Sequence, residues 1–404
     1  MTEPSEASRL LPSGEEAGSP PGDRRFRPDI EGLRAVAILL VVLFHAGVPH
    51  LQGGFVGVDV FFVISGFVIT GLLLRERDGT GRNGVGMFYA RRARRILPAA
   101  VAVIVVTLIA SAVLLHGSQA SIAADDGRWT VAFLANFHLA HVTPTILTTR
   151  YDPFGQFWSL AVEEQFYLVY PAFFIGLFLL ARRVRGASRD AGRSSLAIGL
   201  ALVTVASFAL AVSTSHLGLI GPYNSPFTRA WELSIGAFVA VVAVQLRRVP
   251  PVLAAAATWV GMAMIFIAAI GFDVLTVYPG YAAALPVIGA ALVIAAGTAA
   301  STWGAEAVLK LPPFQRVGRW SYSWYLWHWP VLVLFFTYRN SSLEGTPVLT
   351  RIALELGALA LAVGSYHFLE NPVRHSAFLV ASPKATAVGA VLLVGSCFAL
   401  TYAF

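Results

Sequence analysis

The stretch AVAILLVVLFHAG, residues 35–47, decides the fold. Ten apolar residues run without interruption up to His45. Such a run spans lipid or fills a packed core, and an ionisable side chain at its end is costly unless it meets a cavity, a partner or a substrate. Composition selects the membrane. Of 404 residues, 56% are hydrophobic and only 13% are charged, about half the charged share of a soluble globular protein. The apolar residues gather into runs of about 20 with short polar loops between them, the pattern of a helical protein that crosses a bilayer many times.

Extended along the chain, this reading gives eleven spans, at 33–50, 55–74, 97–115, 157–181, 195–214, 228–246, 252–271, 281–299, 321–337, 349–369 and 386–404. The expected fold is all-α, a polytopic transmembrane helical bundle. Residues 1–27 are rich in Ser, Glu, Pro and Gly and read as a disordered cytoplasmic tail, not a signal peptide. With the N-terminus in the cytoplasm, 24 of the 29 Lys and Arg residues fall on that side, the excess that orients membrane proteins. The exceptions are Arg128, Arg150, Arg229, Arg339 and Arg351. This orientation makes WTVAFLANFHLA, residues 129–140, an outer or re-entrant helix and not a full crossing. The eleventh span runs outward to Phe404 with no polar end, which leads to the expectation of a longer protein with an extracytoplasmic portion. A single cysteine, Cys397, leaves no disulfide framework and no thiolate metal cluster.

Polar residues inside the spans mark the candidate site. Arg34 and His45 are eleven residues apart, so both lie on one helical face about 16 Å apart along its axis. A cation toward the cytoplasm with a base deeper in suits a ligand that enters from inside, anionic end trailing; a histidine bonded to a neighbouring helix for packing fits as well. In GGFVGVDVFFVISGF, residues 53–67, Asp59 is placed either to orient the His45 ring or to lie solvated at the outer interface. YARRARRILP, residues 89–98, holds two overlapping R-x-x-R pairs in Arg91, Arg92, Arg94 and Arg95. Arginine forks suit phosphate, and such clusters also flank spans beside anionic lipid.

FWSLAVEEQFYLVYP, residues 157–171, sets Glu163 and Glu164 about 100° apart on a helix, which predicts different partners. Arg229 and Glu232, three apart in TRAWELSIGA, suit an ion pair. His328 sits between Trp327 and Trp329 in SYSWYLWHWPVLV, as a channel lining or an interfacial belt. No H-E-x-x-H or Walker segment occurs, so no metal site is expected. Nucleic acid is not an expected partner, because topology accounts for the basic residues.

Taken in order, RPDIEGLRAVAILLVVLFHAG, GGFVGVDVFFVISGFVIT, FYARRARRILPA, FWSLAVEEQFYLVYP, RAWELSIGA, SYSWYLWHWP and SYHFLENPVR resemble the acyltransferase-3 family of bacterial membrane proteins over residues 28–376. The form is nearest to members in which ten spans are followed by an extra span and an SGNH hydrolase-like domain. The resemblance implies a tail at 1–27, an acyltransferase domain at 28–376, and at 377–404 a linker and extra helix leading to an extracytoplasmic domain missing from this chain.

It also implies an activity. An acyl group, usually acetyl, passes from cytoplasmic acyl-coenzyme A (acyl-CoA) across the bacterial plasma membrane to a hydroxyl of a glycan or lipid-linked sugar. The family's Arg and His correspond to Arg34 and His45, and its R-x-x-R pair falls within Arg91 to Arg95 in an open register. The expected catalytic set is His45 with Asp59, Glu163 and Glu164. The expected coenzyme-binding set is Arg34, Arg91, Arg92, Arg94 and Arg95, with Arg229, Glu232, Trp327 and His328 along the substrate channel. The same intramembrane charges also mark proton-coupled carriers, the rival class. A third reading is a non-catalytic anchor for the missing domain.

Overall fold

The computed structural model describes residues 26–80, 84–115, 118–143, 152–185, 188–217, 220–299, 303–342 and 345–403. Most of the expected 1–27 tail lies outside them. Among the described residues all regular structure is helical. The helices are α1 (Pro28–His45), α2 (Gly57–Thr80), α3 (Val85–Leu114), α4 (Ser118–Val131), α5 (Ala135–Val142), α6 (Phe157–Arg185), α7 (Arg189–Ser215), α8 (Ile220–Asn224) and α9 (Pro226–Val241). They continue with α10 (Ala243–Leu246), α11 (Pro251–Gly271), α12 (Ala284–Ala296), α13 (Glu306–Leu309), α14 (Pro312–Tyr338), α15 (Val348–Ser365), α16 (Asn371–His375), α17 (Ala377–Ala381) and α18 (Pro383–Leu400).

Local chemistry sets many of these boundaries. Proline opens α1, α9, α11, α14 and α18, where its missing N–H costs nothing. Ser188, Ser225 and Ser382 cap α7, α9 and α18 by accepting from Ala191, Phe227 and Ala385 N–H groups at 3.0, 3.2 and 3.2 Å. α1 stops at His45, and Gly47 turns the chain with φ of 64°. The 129–140 stretch breaks at Phe133, which has φ of 55°, into the ends of α4 and α5. Neither short helix is long enough to cross a bilayer.

Among the described residues seven segments are long and apolar enough to span a membrane: Gly54–Gly79, Val85–Leu114, Phe157–Val184, Asp190–Ser215, Pro251–Gly271, Val348–Ala381 and Pro383–Leu400. The other four expected spans fall on α1, α9, α12 and α14. α1 carries three charged residues, α9 and α12 are short, and α14 is dense in Trp, Tyr and Ser.

Most of the 35–42 run lies in the interior. Ala35, Ala37 and Ile38 are fully buried, and Val36, Leu40, Val41 and Val42 nearly so. A helix apolar on every side lies in protein or in lipid; here α2, α13 and α14 enclose α1. The faces that meet lipid belong to others, such as Leu202 and Val205 on α7 and Val391 and Leu392 on α18.

α2 and α9 pack backbone to backbone. A Cβ at Gly66 would strike the Leu233 carbonyl, and one at Gly236 the Val63 carbonyl. Small residues permit this close approach, on which helix association in lipid depends. Gly236→Leu is therefore expected to destabilise the folded protein by at least about 1–3 kcal/mol, the usual range for overpacking. Gly176→Ala, where a Cβ meets nothing within 4 Å, is expected to be neutral. Thermal unfolding of both variants in detergent measures the difference.

Candidate active site

A cavity of about 830 Å³ opens among α1, α2, α3, α6, α9 and α14 at the end of the bundle where α1 begins. Among the described residues nine arginines line it, including Arg34, Arg92, Arg95, Arg319 and Arg374, against four carboxylates, Glu31, Asp78, Glu163 and Glu370. Such an excess of fixed positive charge in a low-dielectric wall focuses an attractive field on an anion. Toward the bundle interior the lining turns aromatic and neutral, with Phe61, Phe62, Tyr322 and Tyr325.

Several of these arginines are positioned by specific neighbours. Arg34 donates from Nε and Nη2 to Ser321 Oγ at 3.2 and 2.9 Å, which ties α1 to α14. The 89–98 segment is helical, so its four arginines diverge. Arg92 and Arg95 line the cavity. Arg91 instead pairs with Glu76 at 2.9 Å. Arg94 turns to the other side of α3 and donates to the Leu379 carbonyl at 2.9 Å and Thr386 Oγ1 at 3.2 Å. The cavity-facing R-x-x-R register is thus Arg92–Arg95. Among the described residues Arg95 makes no hydrogen bond or ion pair.

Glu163 and Glu164 do not have wholly separate partners, contrary to the expectation. Arg92 Nη2 lies 3.1 Å from Glu164 Oε1 and 3.7 Å from Glu163 Oε1. The long guanidinium fork spans the angle between the two side chains. Glu163 also accepts from Ser65 Oγ at 2.6 Å and from the Tyr167 hydroxyl. The Tyr167 ring lies 3.7 Å beneath the Arg92 guanidinium.

Asp59 is not beside His45. Its Oδ1 accepts from Arg229 Nη1 at 2.9 Å, and the same nitrogen reaches Glu232 Oε1 at 2.7 Å. The Arg229–Glu232 pair read from the spacing is present, with Asp59 as a third member. All three are fully buried, and the rings of Trp158, Tyr223 and Tyr278 surround the guanidinium at 5.3, 4.9 and 5.4 Å. A buried charge needs this degree of pairing to offset desolvation.

His45 is the last residue of α1, beyond the aromatic end of the cavity. α1 begins and ends five residues earlier than the expected 33–50 span, so His45 caps a helix end instead of lying midway along one. Its ring packs against His328 and Trp329 of α14, with centroids 5.1 and 4.9 Å away. His328 is fully buried, donates from Nδ1 to the Tyr325 carbonyl at 2.6 Å, and stands 5.2 Å from the Tyr325 ring. Trp327 points elsewhere, donating to Ser365 Oγ on α15 at 2.7 Å.

Several lining residues were not singled out in the sequence: Ser321, Tyr325, Arg319, Glu370 and Arg374. For the first two a signal existed. Ser321, Tyr325 and His328 follow i, i+4, i+7 and form one polar face of α14. Arg319 and Arg374 had been absorbed into the topology argument. One further group, Asp125, Asp126 and His138, brings three donor atoms within 4.8 Å. Its atoms already bond one another, with His138 Nε2 2.7 Å from Asp126 Oδ1, and Arg128 pairs with Asp125 at 3.2 Å.

The family model described as an acyltransferase domain matches residues 27–367, most of the chain. The chain belongs to the acyltransferase-3 family. It is similar to the peptidoglycan O-acetyltransferase OatA of Listeria monocytogenes, with 29% identity over 374 residues, 88% of this chain and 57% of that protein. It is also similar to the Bacillus subtilis protein named "Putative peptidoglycan O-acetyltransferase YrhL", with 31% identity over 372 residues, 88% of this chain and 56% of that one. The chain therefore spans just over half the length of these curated relatives. No solved structure matches it. The matched region of this acyltransferase-3 protein contains α1, α14 and most of the arginine-lined cavity, leaving out Phe26, Glu370 and Arg374, in a multi-pass helical membrane protein.

Removing Arg229 would strand two buried carboxylates. Arg229→Gln is expected to cost about 3–5 kcal/mol, and adding Asp59→Asn and Glu232→Gln is expected to recover much of it. Unfolding midpoints of the single and triple variants measure this.

Proposed function

We propose that the chain transfers an acyl group, most simply acetyl, from cytoplasmic acyl-CoA to a hydroxyl of an extracytoplasmic glycan or lipid-linked sugar. The observation that carries this reading is the cavity with nine arginines and four carboxylates, in which Arg95 is unpaired beside Arg34. A coenzyme A donor bears a pyrophosphate and a third phosphate, the kind of anion that clustered guanidinium forks hold. The names of the relatives favour acetyl as the group and a cell-wall glycan as the acceptor class.

In this reading the arginine end faces the cytoplasm, as the distribution of Lys and Arg argues, and the protein resides in the bacterial plasma membrane. Arg34, Arg92, Arg95, Arg319 and Arg374 hold the phosphates. The pantetheine arm lies along the α1–α14 face past Phe61 and Tyr325, and the thioester is delivered toward His45. The rise from Arg34 to His45, about 16 Å, suits an extended arm.

At His45 the acceptor hydroxyl gives its proton to the imidazole as its oxygen attacks the thioester carbonyl. The C–O bond forms, the C–S bond breaks, and the proton leaves on the thiolate. A separate SGNH-type domain, if joined to the full-length protein, would handle the acyl group after it reaches the outer face.

The test supplies labelled acetyl-CoA to purified protein in sealed vesicles. The expected result is thioester cleavage with label appearing on an acceptor in wild type and neither in His45→Ala. Arg95→Ala and Arg319→Ala are each expected to raise the KM for acetyl-CoA about tenfold, equivalent to about 1.4 kcal/mol. Substrate flux without thioester cleavage would instead identify a carrier. Surface acylation unaffected by His45→Ala in the full-length protein would identify a passive anchor.

A further inference from the structure

His45 and His328 present a pattern that the acyl-transfer reading does not by itself require. Each imidazole has one buried nitrogen with no hydrogen-bond partner: Nδ1 of His45 and Nε2 of His328. A buried polar atom left unpaired costs about 1–3 kcal/mol, so two in one contact call for an explanation. The rings are 5.1 Å apart between centroids and inclined at 41°, a separation that brings nitrogens into hydrogen-bond reach when they turn toward one another. Catalytic hydrogen bonds are often long without substrate and tighten when it binds.

The chemistry of His328 is fixed by its other nitrogen. A carbonyl oxygen only accepts, so the 2.6 Å contact to the Tyr325 carbonyl places a proton on Nδ1. The neutral ring then presents Nε2 as a lone pair, and a lone pair needs a donor. The carboxylate and hydroxyl candidates for orienting His45 are committed elsewhere. Asp59 is held by Arg229, and the Tyr325 hydroxyl is shared with Ser159 Oγ at 2.6 Å and the Gln156 carbonyl at 2.9 Å. Among the described residues no carboxylate bonds to either imidazole. The nearby guanidinium of Arg351, packed against Gly47, only donates. On the far side Trp329 closes on His45 edge-to-face at 4.9 Å and is itself anchored to the Asp152 carbonyl at 2.7 Å. This clamp holds the His45 ring against His328.

We propose that His328 is the positioning residue for His45, accepting a hydrogen bond from His45 Nδ1–H at its own Nε2 and so leaving His45 Nε2 as the working nitrogen. This assigns to a second histidine the orienting task that a carboxylate performs in a hydrolase triad. Its catalytic consequence rests on the acyl-transfer reading. His45 Nδ1 keeps its proton throughout, Nε2 takes the proton of the acceptor hydroxyl, and that proton then passes to the departing thiolate. His328 shares the positive charge while it sits on His45 and loses no proton itself.

The experiment reads the tautomer of His45 and the kinetics of His328 variants. Protein labelled with ¹³C,¹⁵N-histidine is reconstituted in bilayers, and the histidine signals absent from His45→Ala identify His45 by solid-state NMR. The expected wild-type state is the Nδ1–H tautomer, reverting to Nε2–H in His328→Asn, which keeps a donor for the Tyr325 carbonyl but lacks the acceptor. For acetyl-CoA turnover, His328→Asn is expected to lower kcat about 10²-fold with KM within about threefold. His328→Gln, whose amide oxygen reaches near the lost Nε2, is expected to recover most of the loss. A purely packing role would affect both variants alike and leave the tautomer unchanged. An Nε2–H tautomer at His45 in wild type overturns the proposal, as does a kcat for His328→Asn within threefold of wild type. If wild type cleaves no thioester, the acyl-transfer reading fails, while the wild-type tautomer still decides the pairing.

Discussion

The contact between α1 and α14 governs both ends of the candidate site. The two helices run in parallel. Near their start the Arg34 fork grips Ser321 and the Gln315 amide donates to the Pro28 carbonyl at 2.7 Å. At the other end of α1, His45 lies on His328 and Trp329. Gly318 makes this possible, since a Cβ there would collide with the Glu31 carbonyl. One helix pair thus fixes the spacing between a cation and an imidazole that belong to different chemical tasks. The spacing is rigid because most of α1 is buried, and close-packed interiors transmit displacement instead of absorbing it.

Around that axis the charges divide by function. The buried Arg229 cluster has its own partners, does not line the cavity, and fixes α2 against α9. The cavity arginines are only partly neutralised. Removing charges from water without full compensation is expensive, so a surplus of guanidinium groups around an open space favours an incoming anion over collapse of the walls. The Arg229 guanidinium has two carboxylate partners, whereas Arg95 in the cavity wall has none among the described residues.

The helical class, the long apolar segments and part of the cavity's charged lining (Arg34, Arg92, Arg95 and Glu163) were legible in the sequence, because hydropathy and helical period encode them directly. Several relations were not. Hydropathy does not distinguish lipid from protein interior, so the 35–47 run carried no sign that α1 is surrounded. The four arginines of 89–98 share one composition, and only the rotation of α3 separates Arg92 and Arg95 from Arg91 and Arg94. The partner of Asp59 lies 170 residues away, beyond anything that local spacing expresses. Adjacent Glu163 and Glu164 suggested separate partners because helical geometry fixes Cβ directions, but an arginine long enough to bridge them overrides that rule.

Arg94 has a role that its exclusion from the cavity obscures. By gripping Leu379 and Thr386 it fastens the turn of α3 that carries Arg92 and Arg95 to α17 and α18, the last helices of the described chain. That turn is a mechanical junction, with the cavity-lining arginines on one side and the terminal helix on the other. The wall of the cavity and the terminal helix are therefore joined through one side chain, on the face of α3 opposite the R-x-x-R pair.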